Sequence, residues 1–192
     1  MKSFAISGSP RENVGKRDAK ELRYQSLVPA VLYGGPTQSH FAVSAADLKS
    51  VVYTPVVHFI DLDIAGVKSQ AIIKDLQFHP LTEQILHVDF LLLDEKKPIT
   101  IEIPVQLTGT SPGVKVGGKL VQKLRKLRIK GLPKDHLDNV EVSIEELEVG
   151  KSVRVGDIKL DKLIIVNAAE DTIVSVTTSR ALRQAEQEAA KK

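Results

Sequence analysis

One short stretch of alternating polar and apolar residues constrains the fold of this chain more than any other feature. Leu86–Phe90 reads Leu-His-Val-Asp-Phe. Side chains two apart lie on the same face of a β-strand, so His87 and Asp89 are predicted to share one face while Val88 and Phe90 point into a core. The stretch is therefore expected to form a strand whose outer face both donates and accepts hydrogen bonds.

A second alternating stretch lies a few residues earlier in the chain. Asp75–Pro80 reads Asp-Leu-Gln-Phe-His-Pro. A period of two places Asp75, Gln77 and His79 on one face and the two apolar residues between them on the other. Two strands thus present polar groups outward, and such a surface is suited to recognising a polar ligand.

The rest of the pattern predicts a mainly β protein with two short helices. A capping signal at Ser44 predicts a helix that ends before Pro55, and another helix is expected at about residues 16–26. Strands are expected at about residues 4–6, 30–33, 41–43, 56–64, 68–78, 85–92, 99–107, 120–130, 140–144, 153–158 and 172–178. Pro104 falls on the polar phase of its strand, which predicts an edge strand.

A charged segment that ends in proline, Asp94–Pro98, is the best candidate for a domain boundary. We expect one domain at residues 1–95, a second β-rich domain at 96–179, and a charged tail at 180–192 that is a frayed helix or disordered. The start of the chain lacks the apolar run of a signal peptide, and no apolar run is long enough to span a membrane. We therefore expect a cytoplasmic protein.

Composition and motifs narrow the chemistry that the chain can perform. There is no cysteine in the 192 residues, which excludes disulfides, thiolate nucleophiles and thiolate metal sites. The glycines of Gly113–Lys119 match no nucleotide-binding loop, and the Gly-x-Ser-x-Gly motif of many hydrolases is absent. We expect no enzymatic activity and no cofactor.

Positive charge is concentrated near the start of the chain, although the net charge is only +3. Lys16, Lys20 and Arg23 would fall at i, i+4 and i+7 of the first predicted helix and form one stripe. Arg11 lies just before that helix. A cationic stripe close to helix N–H groups suits phosphate, and a solvated helix face is the alternative.

Asp89 restricts what the polar strand faces can bind. A carboxylate repels phosphate, so beside nucleic acid it would accept from base N–H groups such as those of guanine, while Gln77 and His87 both donate and accept. One alternative is that His87 and Asp89 only pair with each other or with a neighbouring strand. Another is that His79, His87 and Asp89 bind a metal ion.

Several motifs occur together in one order and spacing. They are Arg11, Gly15-Lys16, Leu22-Arg23, Pro29–Gly34, Asp75–Pro80 and Leu86–Phe90, followed by Gly113–Lys115, Gly117–Leu120, Leu132-Pro133 and Leu147–Gly150. With these motifs the first half resembles the bacterial 5S-rRNA-binding proteins of the large ribosomal subunit, the ribosomal protein L-twenty-five family. The second half resembles the extra domain of the longer, general-stress (Ctc) form of that family.

The resemblance implies a six-stranded antiparallel β-barrel with short helices, followed by a second β-rich domain. It also implies binding to the loop E region of 5S rRNA, an irregular helix in which base edges are accessible. Together with the basic stripe, it gives these RNA-binding residues: Arg11, Lys16, Lys20, Arg23, Tyr33, Gln77, His87 and Asp89. Glu21 departs from the family pattern, since short members often carry a basic residue there, and Lys20 replaces a usual Arg.

A further set of cations surrounds the predicted strand at residues 120–130. They are Lys119, Lys123, Arg125, Lys126, Arg128 and Lys130. Charge on both faces predicts an edge strand, on which the cations either discourage aggregation or contact rRNA.

We expect a ribosome-associated structural protein of the large subunit whose partners are 5S rRNA and, through the second domain, neighbouring rRNA or proteins. No membrane and no small-molecule substrate are expected. The main alternative is a free cytoplasmic general-stress factor whose second domain binds protein in a chaperone-like manner. A small metal-dependent enzyme is a third possibility, and only the histidines support it.

Overall fold

The computed structural model describes residues 3–160 and 162–178. These residues form two compact units, one ending at Lys97 and the other beginning at Pro98. That residues 1–95 fold alone as a domain, with a second domain at 96–179, stays a prediction. The predicted tail at 180–192 lies outside the described residues.

The first unit contains six strands and two helices. In chain order these are β1 (Ser3–Pro10), α1 (Lys16–Tyr24), β2 (Leu27–Tyr33), β3 (Ser39–Ser44), α2 (Ala45–Val52), β4 (Phe59–Ile64), β5 (Val67–Phe78) and β6 (Ile85–Leu92). The strands close into a barrel in the order β1-β3-β2-β6-β5-β4. The predictions of a mainly β fold and of a six-stranded barrel are confirmed.

Two of the six strand pairs that close the barrel are parallel, although an antiparallel barrel was expected. β2 pairs with β6 and β1 pairs with β4 in parallel, whereas the other four pairs are antiparallel. β1-β3-β2 is one up-down-up triplet and β4-β5-β6 is another. The outer strands of both triplets run in the same direction. Where the two triplets meet, the neighbouring strands are therefore parallel.

Alternating apolar residues fill the inside of the barrel. Phe41, Val88 and Phe90 are fully buried, and the two phenylalanine rings lie 5.6 Å apart. Leu48 and Val51 of α2 pack into the same cluster. Each large apolar side chain buried in this way contributes about 1.5–3 kcal/mol to folding, so the barrel is a rigid support for whatever its outer face carries.

The two helices differ in how they attach to the barrel. α2 begins after Ser44 as predicted, and the Ser44 hydroxyl accepts a hydrogen bond from the amide of Ala46 at 3.3 Å. α1 has no buried residue and lies against β2. It ends at Tyr24, two residues before the predicted end, because Ser26 takes a left-handed conformation with φ 60° in the turn that leads into β2.

The second unit is built from short strands. They are β7 (Ile99–Thr108), β8 (Lys119–Gln122), β9 (Lys126–Gly131), β10 (Val140–Ser143), β11 (Ser152–Arg154), β12 (Ile164–Ile165) and β13 (Thr172–Thr177), with a one-turn helix α3 (Pro112–Lys115). Within the described residues they form a four-stranded sheet, β10-β7-β9-β12, and a three-stranded sheet, β11-β13-β8. A second β-rich domain in this half is confirmed.

The prediction of a single strand at residues 120–130 is wrong. The segment forms β8 and β9, which belong to different sheets. The amides of Lys123 and Leu124 both donate to the carbonyl of Ile173, at 2.8 and 3.2 Å, so the chain turns between the two strands. Leu127 and Ile129 keep their alternation in β9 and are fully buried.

The prediction that Pro104 marks an edge strand is also wrong for the strand as a whole. β7 pairs with β9 over Ile99–Pro104 and with β10 over Val105–Thr108. The amide of Val105 donates towards the β9 side, so the nitrogen of Pro104 faces the other side, where β10 pairs only from Val105 onward. Proline is tolerated because no partner strand meets its missing N–H.

The strand predicted at residues 153–158 ends early. β11 stops at Arg154, and Val155–Asp157 forms a single 3-10 turn. The carboxylate of Asp157 accepts a hydrogen bond from the amide of Arg154 at 2.8 Å and closes this turn. A local side chain to backbone bond therefore replaces the strand pairing.

Candidate nucleic-acid interface

The polar residues of β5 and β6 lie side by side on the outer face of the barrel. In the register of these strands Gln77 is opposite His87 and Asp75 is opposite Asp89. His87 and Asp89 point outward with 30% of each side chain exposed, while Val88 and Phe90 are buried. The predicted division of this strand into a polar and an apolar face is confirmed.

A bulge in β5 gives this face its composition. Ile73 is opposite Phe90 and Asp75 is opposite Asp89, so Lys74 is an extra residue between two paired positions. Without the bulge, Ile73 and Asp75 would share a face. With it, Ile73 packs against the barrel core and Asp75 joins the polar outer face.

His87 and Asp89 pair with each other. The Nδ1 atom of His87 lies 2.7 Å from a carboxylate oxygen of Asp89. The alternative that His87 and Asp89 pair with each other is therefore correct. The pairing still leaves hydrogen-bonding atoms on both side chains for a ligand. The Nε2 atom of His87 and the second oxygen of Asp89 take no part in this contact, and both side chains stay partly exposed.

Asp75 and Asp89 face each other across the two strands, where like charges are unfavourable. Each carboxylate has a partner of its own. Asp75 accepts from the backbone amide of Leu76 at 2.9 Å, and Asp89 holds the imidazole of His87. Two acceptor groups are thus fixed on this face, and a ligand that binds here must offer hydrogen-bond donors.

Tyr33 extends the face onto β2. β2 pairs with β6 so that Val31 is opposite Asp89, which places Tyr33 diagonally beside that carboxylate. Burial raises the pKa of the Tyr33 hydroxyl, and the negative charges of Asp89 and then Asp75 raise it further. The hydroxyl is therefore a neutral donor next to two acceptors.

α1 brings exposed cations to the same side of the barrel, since it lies against β2. Lys16 and Lys20 are exposed, and the ammonium of Lys20 lies 5.8 Å from the centre of the Tyr24 ring. The two ammonium groups are available to phosphate oxygens.

Arg23 fastens the end of α1 to β6. Its Nε and Nη2 atoms donate to the carbonyl of Leu86 at 3.1 and 3.0 Å. Leu86 is the extra residue of a second bulge, between the pairs of Gln77 with His87 and Phe78 with Ile85. Arg23 thus serves first to hold the helix next to His87, a role that the sequence did not reveal.

Arg11 also has a structural partner. Its guanidinium forms an ion pair with Asp18, with the Nε atom 3.2 Å from the carboxylate, and it donates to the carbonyl of Asn13. Only 9% of the Arg11 side chain is exposed. Asp18 lies in the first turn of α1, so this pair fixes the start of the helix. Of the four predicted cations Arg11, Lys16, Lys20 and Arg23, Lys16 and Lys20 remain available to phosphate.

His79 does not belong to the polar face, contrary to prediction. It follows the end of β5, and its Nδ1 atom accepts from the amides of Leu81 and Thr82 at 3.3 and 3.2 Å. Phe78 is not buried either, with 42% of the residue exposed. Across residues 3–160 and 162–178, no group of three or more histidine and acidic side chains is placed to bind a metal ion.

Each half of the chain matches a known protein family. Residues 6–90 match the family described as Ribosomal L25p, and residues 98–180 match the C-terminal domain of ribosomal protein TL5. A protein of Cytophaga hutchinsonii called large ribosomal subunit protein bL25 is 47% identical over the full length of both chains. Proteins of the same name from Phocaeicola vulgatus and Porphyromonas gingivalis are 44% and 38% identical, each over 96% of this chain and 97% of the relative. The chain belongs to the ribosomal L25p family.

The half of this L25p-family chain that matches the TL5 domain carries a different charged surface. Lys126, Arg128 and Lys130 project from the exposed face of β9, where the alternating Leu127 and Ile129 are buried. β9 lies between β7 and β12, so the prediction of a cationic edge strand is wrong for β9, whereas β8 does lie at the edge of its sheet. Within the described residues none of the three cations forms an ion pair.

The helices of this family member are short. In the part of the chain that the structure describes, none is long and apolar enough to span a membrane.

Proposed function

We propose that this protein is a structural constituent of the large ribosomal subunit and binds the loop E region of 5S rRNA. One observation carries the proposal. The barrel holds a polar face, built from Tyr33, Gln77 and the paired His87 and Asp89, beside the exposed cations of α1. The names of the relatives, which place them in the large subunit, support the ribosomal part of the proposal.

The chemistry of the face favours base recognition over binding of phosphate alone. Asp75 and Asp89 would repel a phosphate placed directly on them, but their oxygens suit the N–H groups of guanine or of other base edges. Regular A-form RNA hides such edges in a deep groove, whereas an irregular helix exposes them. An internal loop of non-Watson–Crick pairs is therefore the RNA element that best fits.

The cations have two roles in this proposal. Lys16 and Lys20 contact the phosphate backbone and supply affinity that depends on salt. Arg11 and Arg23 set the position of α1, and through it the distance between the cations and the base-reading face. Both roles are needed, because phosphate contacts orient the RNA while base contacts select it.

The second unit adds a contact with neighbouring rRNA or protein of the subunit in this proposal. The cations on β9 support this, since an internal strand has no edge to protect. The protein works in the cytoplasm, bound to ribosomes, without a cofactor and without catalysis. The alternative of a free stress factor with a chaperone-like second unit predicts instead that the protein does not co-sediment with large subunits.

The proposal is tested with the full chain and a 5S rRNA transcript in a gel-shift titration, with tRNA as competitor. We expect a complex that a large excess of tRNA does not displace, and co-sedimentation of the protein with large subunits. A complex that tRNA displaces as readily as unlabelled 5S rRNA would mean that the face has no selectivity, and the proposal would be wrong.

A further inference from the structure

A groove of about 510 Å³ opens at one end of the barrel, outside the polar strand face. It lies between the end of α1, the helix α2 and the loop that joins β5 to β6. Arg23 is the one member of the proposed RNA-binding set that lines it. Its other lining residues include Ser26, Lys49, Tyr53, Thr82, Glu83 and Gln84. A volume in this range is typical of sites for small organic ligands.

An exposed aromatic side chain stands in the wall of the groove. Tyr53 follows α2 and is 57% exposed, yet its ring is held in place. The hydroxyl donates to the carbonyl of Glu83 at 3.1 Å, and the ring packs against that of Phe78 at a centroid distance of 6.5 Å. Fixed, solvent-facing aromatic rings are the side chains on which proteins stack unpaired bases.

Residues around the Tyr53 ring supply a cation for phosphate and polar groups for a base edge, as a nucleotide site requires. Two of the lining residues also have strained backbone. Lys49 is exposed and forms no ion pair within the described residues, so its ammonium is available to a phosphate. Glu83 and Gln84 offer acceptors and donors for a base edge. Ser26 and Glu83 have φ of 60° and 56°, and strained backbone of this kind clusters at ligand sites.

We propose that this groove binds one unpaired nucleotide of the same RNA, with the base against Tyr53 and the phosphate near Lys49. Arg23 connects the two regions, because it lines the groove and holds the carbonyl of Leu86 next to His87. An RNA strand that leaves the polar face past α1 therefore reaches the groove directly. The inference rests on the proposed function and extends it from an irregular helix to an unpaired neighbour of that helix.

The test measures binding of a 5S rRNA transcript to the full chain and to four variants. Tyr53→Leu removes the stacking surface and is expected to weaken binding about tenfold to a hundredfold. Lys49→Gln is expected to lower the slope of log affinity against log salt by about 0.7. Tyr53→Phe keeps the ring and should bind within twofold of wild type. Lys68→Gln, an exposed lysine on β5 outside the groove, should change nothing.

A second measurement keeps Tyr53 in place, so its result does not depend on whether Tyr53→Leu folds correctly. A benzophenone amino acid at Leu81, which is 88% exposed on the β5–β6 loop, should crosslink to an unpaired nucleotide of the transcript. The same group at Val67, which is 69% exposed at the start of β5, should not. Crosslinks confined to paired nucleotides would overturn the inference.

The binding series separates this inference from the proposed function. If wild type binds 5S rRNA selectively but Tyr53→Leu and Lys49→Gln bind equally well, the groove is no nucleotide site and the strand face stands alone. If those two variants bind bare 5S rRNA normally and lose only retention on salt-washed subunits, the groove takes a protein segment instead, and the inference is again wrong. If wild type itself shows no selectivity, the proposed function fails first.

Discussion

The two units carry their charge in opposite ways. On the barrel, several polar groups of the outer face have partners within the fold: His87 bonds to Asp89, Asp75 to the neighbouring amide, and Arg23 to the carbonyl of Leu86. On the second unit, the cations of β9 project from the strand, and none forms an ion pair within the described residues. One surface is fixed in geometry and the other supplies mainly charge.

This difference suggests a division of labour. Groups that are held in place before binding lose little freedom when a ligand arrives, so they can discriminate between ligands by hydrogen-bond pattern. Flexible cations attract any polyanion, and their contribution falls with salt. The barrel is therefore expected to determine which RNA is bound, and the second unit to strengthen attachment without selecting.

Asp89→Asn should produce the largest effect, because it alters the fixed surface without changing its shape. It places an N–H donor where a base is proposed to donate, and we expect a loss of about 1–3 kcal/mol in 5S rRNA binding with little change in salt dependence. Asp47→Asn, on the exposed side of α2, is the matched control. Tighter binding by Asp89→Asn, measured by gel shift, would place the carboxylate against phosphate.

Two of the cations predicted to contact phosphate, Lys16 and Arg11, should now respond differently. Lys16→Ala should lower the slope of log affinity against log salt by about 0.7–0.9. Arg11→Ala removes the partner of Asp18, so we expect a loss of about 1–3 kcal/mol in the free energy of unfolding, weaker binding, and an unchanged slope. Denaturant titration and salt-dependent binding separate these effects. Equal slopes for both variants would return Arg11 to the RNA surface.

Much of the fold and of the polar face follows from local pattern, and the failures have a common cause. A period of two places Val88 and Phe90 inside and His87 and Asp89 outside wherever the strand is regular. The pattern carries no information about bulges. The inward turn of Ile73 and the Leu86 carbonyl that accepts from Arg23 at the second bulge could therefore not be predicted. Both depend on how two strands pair.

Side chains with a distant or competing partner were the other source of error. Arg11 pairs with Asp18, seven residues away, and Arg23 with a carbonyl sixty-three residues away. His79 serves its own loop. From its residue type alone, an arginine is expected to bind phosphate. A sequence does not show whether the fold brings another partner, such as a carboxylate or a carbonyl, next to it. The Arg11–Asp18 spacing at the helix start was the one signal available.

Reversing the charge of the β9 surface should give a smaller and different effect. In a triple variant, Lys126, Arg128 and Lys130 are changed to Glu. We expect 5S rRNA binding within about threefold of wild type, because the proposed base-reading face is intact, but earlier release from large subunits during a salt wash. The control reverses three exposed cations elsewhere in the unit, Lys151, Arg154 and Lys159. Unchanged release would remove the proposed second contact, and equal loss by both variants would make it non-specific.

The histidines extend the comparison to pH. His87 on the barrel face has a carboxylate partner, whereas His136 of the second unit is 7% exposed and neither ring nitrogen has a well-placed hydrogen-bond partner within the described residues. Burial lowers the pKa of His136, and the nearby backbone at Gly131 and Ile99 and the charge of Asp135 offset this only in part. The folded second unit therefore favours the neutral ring.

The sign of the pH effect follows from that lowered pKa. The unfolded chain binds a proton at His136 near pH 6.5, whereas the folded unit binds it only at lower pH, so stability is complete above about 6.5 and is lost as the pH falls below that value. We expect the melting temperature of the second unit, followed through the methyl signals of Ile103 and Ile129, to fall between pH 7 and pH 5. His136→Gln cannot take up a proton and should flatten this dependence, whatever its own stability. If the melting temperature of His136→Gln depends on pH as steeply as that of wild type, the acid sensitivity belongs to other groups. The contrast between a partnered histidine on the barrel and an unpartnered one in the second unit would then have no consequence for stability.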